Sequence, residues 1–141
     1  ASSRLAPEGK TKFLVDGGSN TVLSSDKIIS MRGVHSPLQT SIVGIWNNND
    51  TITTGVTFNV LFVGNAPSIE LFGPCNASAR RNVLSESYLW DTHKMQVLKE
   101  PVMRIVYHDS PELYLDLFRE NGLYFIYGDV MAPPGPVSRR D

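Results

Sequence analysis

The residues with the clearest chemical potential lie in one run near the start of the chain, Phe13-Leu14-Val15-Asp16-Gly17-Gly18-Ser19-Asn20-Thr21-Val22-Leu23. An apolar segment leads straight into an acid, two glycines, and then small polar and apolar residues. A carboxylate can take or give a proton, so a held aspartate is a candidate general base or acid. A bare Asp-Gly-Gly reads as a β-turn, with Asp at the first position and glycine supplying positive φ. The frame changes that reading. Apolar residues before Asp16 and Thr21-Val22-Leu23-Ser24-Ser25 after it put the carboxylate on a tight loop against the core, not at an exposed hairpin tip.

The remaining reactive side chains form no competing pattern. His35, His93 and His108 are too scattered for zinc spacing, and with a single cysteine a structural zinc site is not expected, so no metal and no cofactor is anticipated. Cys75, between Pro74 and Asn76, could in principle pair with a histidine as a nucleophile, but it matches no nucleophile signature. One cysteine excludes an internal disulfide and favours a reducing compartment, hence a cytoplasmic setting, virus-like particles included. The 13 basic and 14 acidic residues leave a net charge of −1, with no basic run beyond Arg80-Arg81 and Arg139-Arg140. Phosphate neutralisation needs clustered cations, so nucleic acid is not expected as a direct partner. No apolar stretch is long enough for a membrane span and no secretory leader is evident, so no membrane association is expected. The triplets Asn49-Asp50-Thr51 and Asn76-Ala77-Ser78 are sequons of a kind that arises often by chance.

The elements that must position Asp16 follow from the pattern of the chain. Hydrophobic residues make up 41% and charged residues 19% of 141 residues, the balance of one globular domain. Residues 1–10 are polar, with Pro7 and Gly9, and read as a tail; 131–141 are proline-rich and read as a linker, leaving 11–130 as the folded domain. Within it, β-branched and aromatic runs are broken by Gly, Asn, Pro and Asp, the pattern of a mainly β fold. Strands are expected over Lys12–Val15, Lys27–Met31, Ser41–Trp46, Thr51–Val63, Ser68–Phe72, Val102–Tyr107, Tyr114–Phe118 and Leu123–Tyr127. Asn47–Asp50 reads as a hairpin turn, since Asn tolerates left-handed backbone. One short amphipathic helix is expected over Ser85–Lys94, with a Ser N-cap and an acidic first turn.

The Asp16 run resembles the catalytic loop of retropepsins, an apolar pair followed by Asp-Thr/Ser-Gly-Ala/Ser-Asp/Asn. It departs from that pattern at Gly17, which stands where the family has a hydroxyl residue that helps lock two catalytic loops together. A second block, Thr57 to Pro67 followed later by Arg81-Asn82-Val83-Leu84-Ser85-Glu86-Ser87-Tyr88-Leu89, is similar to the protease of copia-type retrotransposons, as is the closing Gly122-Leu123-Tyr124-Phe125-Ile126. In that family Asn82, Val83 and Leu84 would end a strand buried beside the catalytic loop, and the helix would follow. The stretch 68–80, which holds Cys75, appears as an insertion relative to the family.

The resemblance implies a retropepsin-like domain, a closed β-barrel with one short helix. It implies an aspartic endopeptidase acting on an extended peptide, with its own Gag-Pol polyprotein as natural substrate. Hydrolysis at near-neutral pH needs both a base and an acid, and two aspartates about 3 Å apart share one proton and so supply both. Only Asp16 occupies the required frame, so a homodimer must provide the second copy. Gly17, Gly18, Ser19 and Asn20 would form the catalytic loop. A flap covering the substrate is expected within Ile28–Ile45, with Met31, Gly33, Val34, His35, Ser36 and Pro37 at or near its tip; the hairpin Ser41–Thr54, tipped by Asn47–Asp50, is the competing position. Two further readings stand beside this one: a domesticated, weakly active or inactive retropepsin-like dimerisation domain, favoured by Gly17, and an all-β viral capsid projection domain, which would need neither the Asp16 frame nor the helix after Leu84.

Overall fold

A computed structural model of the chain describes residues 5–42 and 50–132, which contain eleven strands and two helices. In order these are β1 (Thr11–Asp16), α1 (Lys27–Arg32), β2 (Val34–Ile42), β3 (Asp50–Phe62), β4 (Gly64–Asn65), β5 (Ile69–Pro74), β6 (Asn82–Ser85), α2 (Glu86–His93), β7 (Met95–Leu98), β8 (Arg104–Tyr107), β9 (Ser110–Asp116), β10 (Phe118–Glu120) and β11 (Leu123–Val130). The fold is therefore mainly β. No helix among the described residues is long and apolar enough to cross a membrane.

β1 is apolar at consecutive positions because both of its faces are covered. Phe13 and Val15 enter the main core, whereas Leu14 packs on the opposite face with Leu23, Val83, Phe118, Phe125 and Tyr127. The strand lies between β11, antiparallel with Leu14 opposite Phe125, and β6, parallel with Leu14 opposite Val83. These strands belong to a seven-stranded sheet ordered β2-β3-β11-β1-β6, with β10 added on β11 and β5 on β3. A second sheet runs β4-β9-β8-β7, and its Met95, Ile105 and Leu115 share the main core with Phe13 and Phe58. Val63 joins the two sheets through its backbone, donating to the Tyr127 carbonyl and accepting from the Asp116 amide, both at 2.8 Å. Among the described residues neither sheet closes on itself. The closed barrel expected from the resemblance is instead a pair of open sheets around one core, because β7, β8 and β9 pair among themselves and with β4.

One other expectation is corrected. Lys27–Met31 forms the helix α1, not a strand: Ile29 alone is driven fully into the core, Arg32 Nη1 donates to the Val130 carbonyl at 2.6 Å, and the Gly33 amide closes the turn on the Ile29 carbonyl at 2.8 Å. The stretch 68–80 holds the strand expected at Ser68–Phe72. Its first part is β5, paired along β3 from Ile69 opposite Val60 to Pro74 opposite Gly55. The helix expected at Ser85–Lys94 is α2, with Ser85 as N-cap, Leu89 as its buried anchor and Lys94 as a left-handed C-cap.

Candidate active site

Asp16 is the last residue of β1, half-buried and opposite Ser85 in the parallel register. The chain then turns through Gly17 to Thr21 and comes back, and Leu23 pairs with Val83 on the far edge of β6: the Leu23 amide donates to the Val83 carbonyl at 2.9 Å and the Val83 amide to the Leu23 carbonyl at 2.8 Å. β6 thus lies between the two limbs of the loop that carries Asp16. All four of its residues are buried, Val83 on the face that holds Leu14 and Leu23 and Leu84 in the main core.

The returning limb is fixed on its other side as well. Ser24 donates from its amide to the Pro74 carbonyl at 3.0 Å and accepts from the Asn76 amide at 2.8 Å, which pins the limb to the end of β5. The contact is close enough to require glycine at position 73, where a Cβ would come within 1.9 Å of the Val22 carbonyl oxygen. Below the loop, Asn82 is 1% exposed and its amide oxygen accepts from the Ser25 and Asp26 amides at 2.8 and 3.2 Å. Its Nδ2 donates to the Lys12 carbonyl at 3.0 Å. A buried amide satisfied in this way locks the start of α1 to β1.

Within the loop, the Gly18 amide donates to Asp16 Oδ1 at 2.9 Å, so backbone geometry orients the carboxylate. Gly17, Gly18 and Asn20 are exposed, and Ser19 is half-buried beneath them. The N-terminus of α2 holds the loop from one side: Ser85 Oγ donates to the Ser19 carbonyl at 2.7 Å and also accepts from the Tyr88 amide at 3.1 Å, while Ser87 Oγ reaches the Ser19 carbonyl at 3.4 Å. The Glu86 carboxylate lies over Gly17 and borders an open hollow of about 390 Å³ that Trp90, Met95 and His108 also line.

The structure brings Asp16, Gly17, Gly18, Ser19, Asn82, Val83 and Leu84 into one neighbourhood. It puts the expected flap residues elsewhere. Met31 is on α1 and 73% exposed, Gly33 caps that helix, and Val34, His35, Ser36 and Pro37 run along the base of β2 opposite Thr57 to Thr54 of β3. His35 Nε2 bonds the Ser30 carbonyl at 2.7 Å, which ties this base to α1. Gly33–Pro37 is accordingly no hairpin tip. Residues 43–49, which hold most of the expected strand Ser41–Trp46 and Asn47 to Asn49 of the competing position, lie outside the described residues.

Sequence reasoning missed Glu86 and Ser87 as neighbours of the loop. Both were visible only as features of a helix start, an acidic first turn after a Ser cap. Among the described residues no three metal-ligating side chains come together. The arrangement offers one carboxylate oriented by the loop itself, that of Asp16, beside an exposed glycine turn over which the Glu86 carboxylate lies. Such a group can serve as a base or as an acid, but one copy does not supply both at once. No family model, no curated protein and no solved structure matches this chain.

Proposed function

We propose that the chain is a retropepsin-like aspartic endopeptidase of the copia-type retrotransposon kind, active as a homodimer in which Asp16 of each subunit contributes one carboxylate. The observation that carries this reading is the crossing at Val83, which pairs with Leu14 on one edge and Leu23 on the other, so that Asp16 stands at the mouth of a loop braced by an apolar strand and followed at once by a helix. That order is what the resemblance implies for Asn82 to Leu89. The exposed Gly17-Gly18 turn supports it too, since two such turns can approach across a twofold axis without Cβ clashes.

In the dimer one aspartate is ionised and draws a proton from water while the other, protonated, hydrogen-bonds the scissile carbonyl. Like charges this close cannot both persist, so the pair titrates in two steps that belong to the dyad. The substrate is an extended peptide of a precursor polyprotein, bound by main-chain hydrogen bonds under the β2–β3 hairpin.

The test is self-processing of a precursor containing this domain. The native precursor is expected to cleave itself and the Asp16→Asn precursor to remain whole; equal processing of the two ends the proposal. Gly17, lacking the hydroxyl of the family pattern, favours a second reading, a dimerisation or binding domain without turnover. That reading predicts a dimer in sedimentation and no processing by either precursor.

A further inference from the structure

Three consecutive residues at the start of α2 touch the Asp16 loop, and the middle one does so in an unusual way. A Cβ built on Gly17 would lie 3.2 Å from Glu86 Oε2, 3.6 Å from its Cδ and 4.0 Å from its Oε1, so its three nearest neighbours all belong to that one side chain. Resting on the proteolytic reading above, we propose that Glu86 is a positioning residue for Asp16: its carboxylate lies against the place where a side chain at position 17 would begin, and so backs the turn that aims the Asp16 carboxylate.

The need for such a support is physical. Two successive glycines have more backbone freedom than other residue pairs, and each loses more of it on ordering. The turn they form is not idle, because the Gly18 amide holds Asp16 Oδ1 at 2.9 Å and a shift of that amide re-aims the acid. Ser85 and Ser87 fix the far end of the turn at the Ser19 carbonyl, and at the exposed Gly17 the nearest atoms among the described residues are those of Glu86. Lys99 approaches Glu86 Oε2 at 4.0 Å, but with the two side chains 52% and 31% exposed the pair is a weak one. Bulk, then, is the property that matters, and charge is secondary.

The experiment uses the mature dimer, with the Asp16→Asn precursor as substrate cleaved in trans. Glu86→Ala is expected to lower kcat about tenfold with KM within about twofold, the mark of a misaimed group and not of lost binding. Glu86→Gln, which keeps the bulk, stays within about twofold of the native enzyme. Gly17→Thr alone loses about threefold by pressing on Glu86, and the double variant Gly17→Thr/Glu86→Ala recovers most of the loss of Glu86→Ala, the non-additivity expected of touching positions. Native turnover by Glu86→Ala, a Gln variant as poor as Ala, additive losses in the double variant, or a fall in kcat that merely tracks a fall in melting temperature would each overturn the assignment. A native precursor that cleaves itself no faster than Asp16→Asn removes the proteolytic reading, and the role of Glu86 with it; failure of the Glu86 series alone leaves that reading standing.

Discussion

Val83 spends both of its backbone groups on Leu23, at 2.8 and 2.9 Å, while its side chain packs on Leu14 and Leu23 in the smaller of the two apolar clusters. One buried residue thereby ties together the strand that delivers Asp16 and the limb that carries the chain away from it. The geometry of the candidate site is set by that tie and by the close approach of β5 on the outer side.

Gly73 is the sharpest test of this approach. Its added Cβ would lie 1.9 Å from the Val22 carbonyl oxygen and 2.8 Å from the carbonyl carbon, both backbone atoms that cannot swing aside. Gly73→Ala is expected to destabilise the fold by about 3 kcal/mol or more, read as a lowered urea midpoint, in line with other overpacked core positions. A change within about 0.5 kcal/mol, the scale of a neutral surface substitution, would show that the two segments are free to separate.

Ser85 carries two duties, capping α2 at the Tyr88 amide and holding the Ser19 carbonyl. Ser85→Ala removes both bonds from a fully buried position, and the expected loss is about 1–2 kcal/mol in denaturant unfolding. Under the proteolytic reading kcat falls as well, since the turn next to Asp16 loses an anchor. Unchanged stability together with unchanged processing would argue that α2 does not support the loop.

A pH dependence arises away from the site. Hydrogen bonds from Lys12 Nζ, at 2.7 Å, and from the Tyr127 hydroxyl hold the Glu120 carboxyl below the usual carboxylate range. Burial, seconded by Glu120, pushes the Tyr127 hydroxyl up. With a folded pKa below the unfolded one, the Glu120 contribution is present above the ordinary carboxylate pKa and is lost as pH falls through the lowered folded value. The melting temperature of the native protein minus that of Glu120→Gln is therefore expected to be positive at neutral pH and to shrink toward zero on acidification. Because the Glu120 side chain is 30% exposed, the difference is small, under about 1 kcal/mol, and a difference that grows on acidification would refute the assignment.

Much of this architecture was legible in the residues themselves. The doubly covered β1 shows as a continuous apolar run ending at Asp16, and α2 shows as a Ser cap, an acidic first turn and Leu89 at helical spacing. What misled was local chemistry overruled by distant contacts. Ile28-Ile29 looks like strand, yet the segment is helical because Ile29 reaches the core and Arg32 reaches Val130. Gly33 and Pro37 look like a hairpin tip, but the glycine closes α1 and the proline sits beside a register shift in β2. Glu86 over Gly17 is a tertiary meeting of two segments far apart in the chain, and neither announces the other.

The brace at Val83 also has a consequence in time. β1 is the first of the described strands in chain order, yet its two neighbours are β6 and β11, the second of these the last of the described strands. Pairings so distant in sequence form slowly and late. The strand that carries Asp16 accordingly has no complete seat until β11 has been synthesised, however early in the fold its aspartate stands.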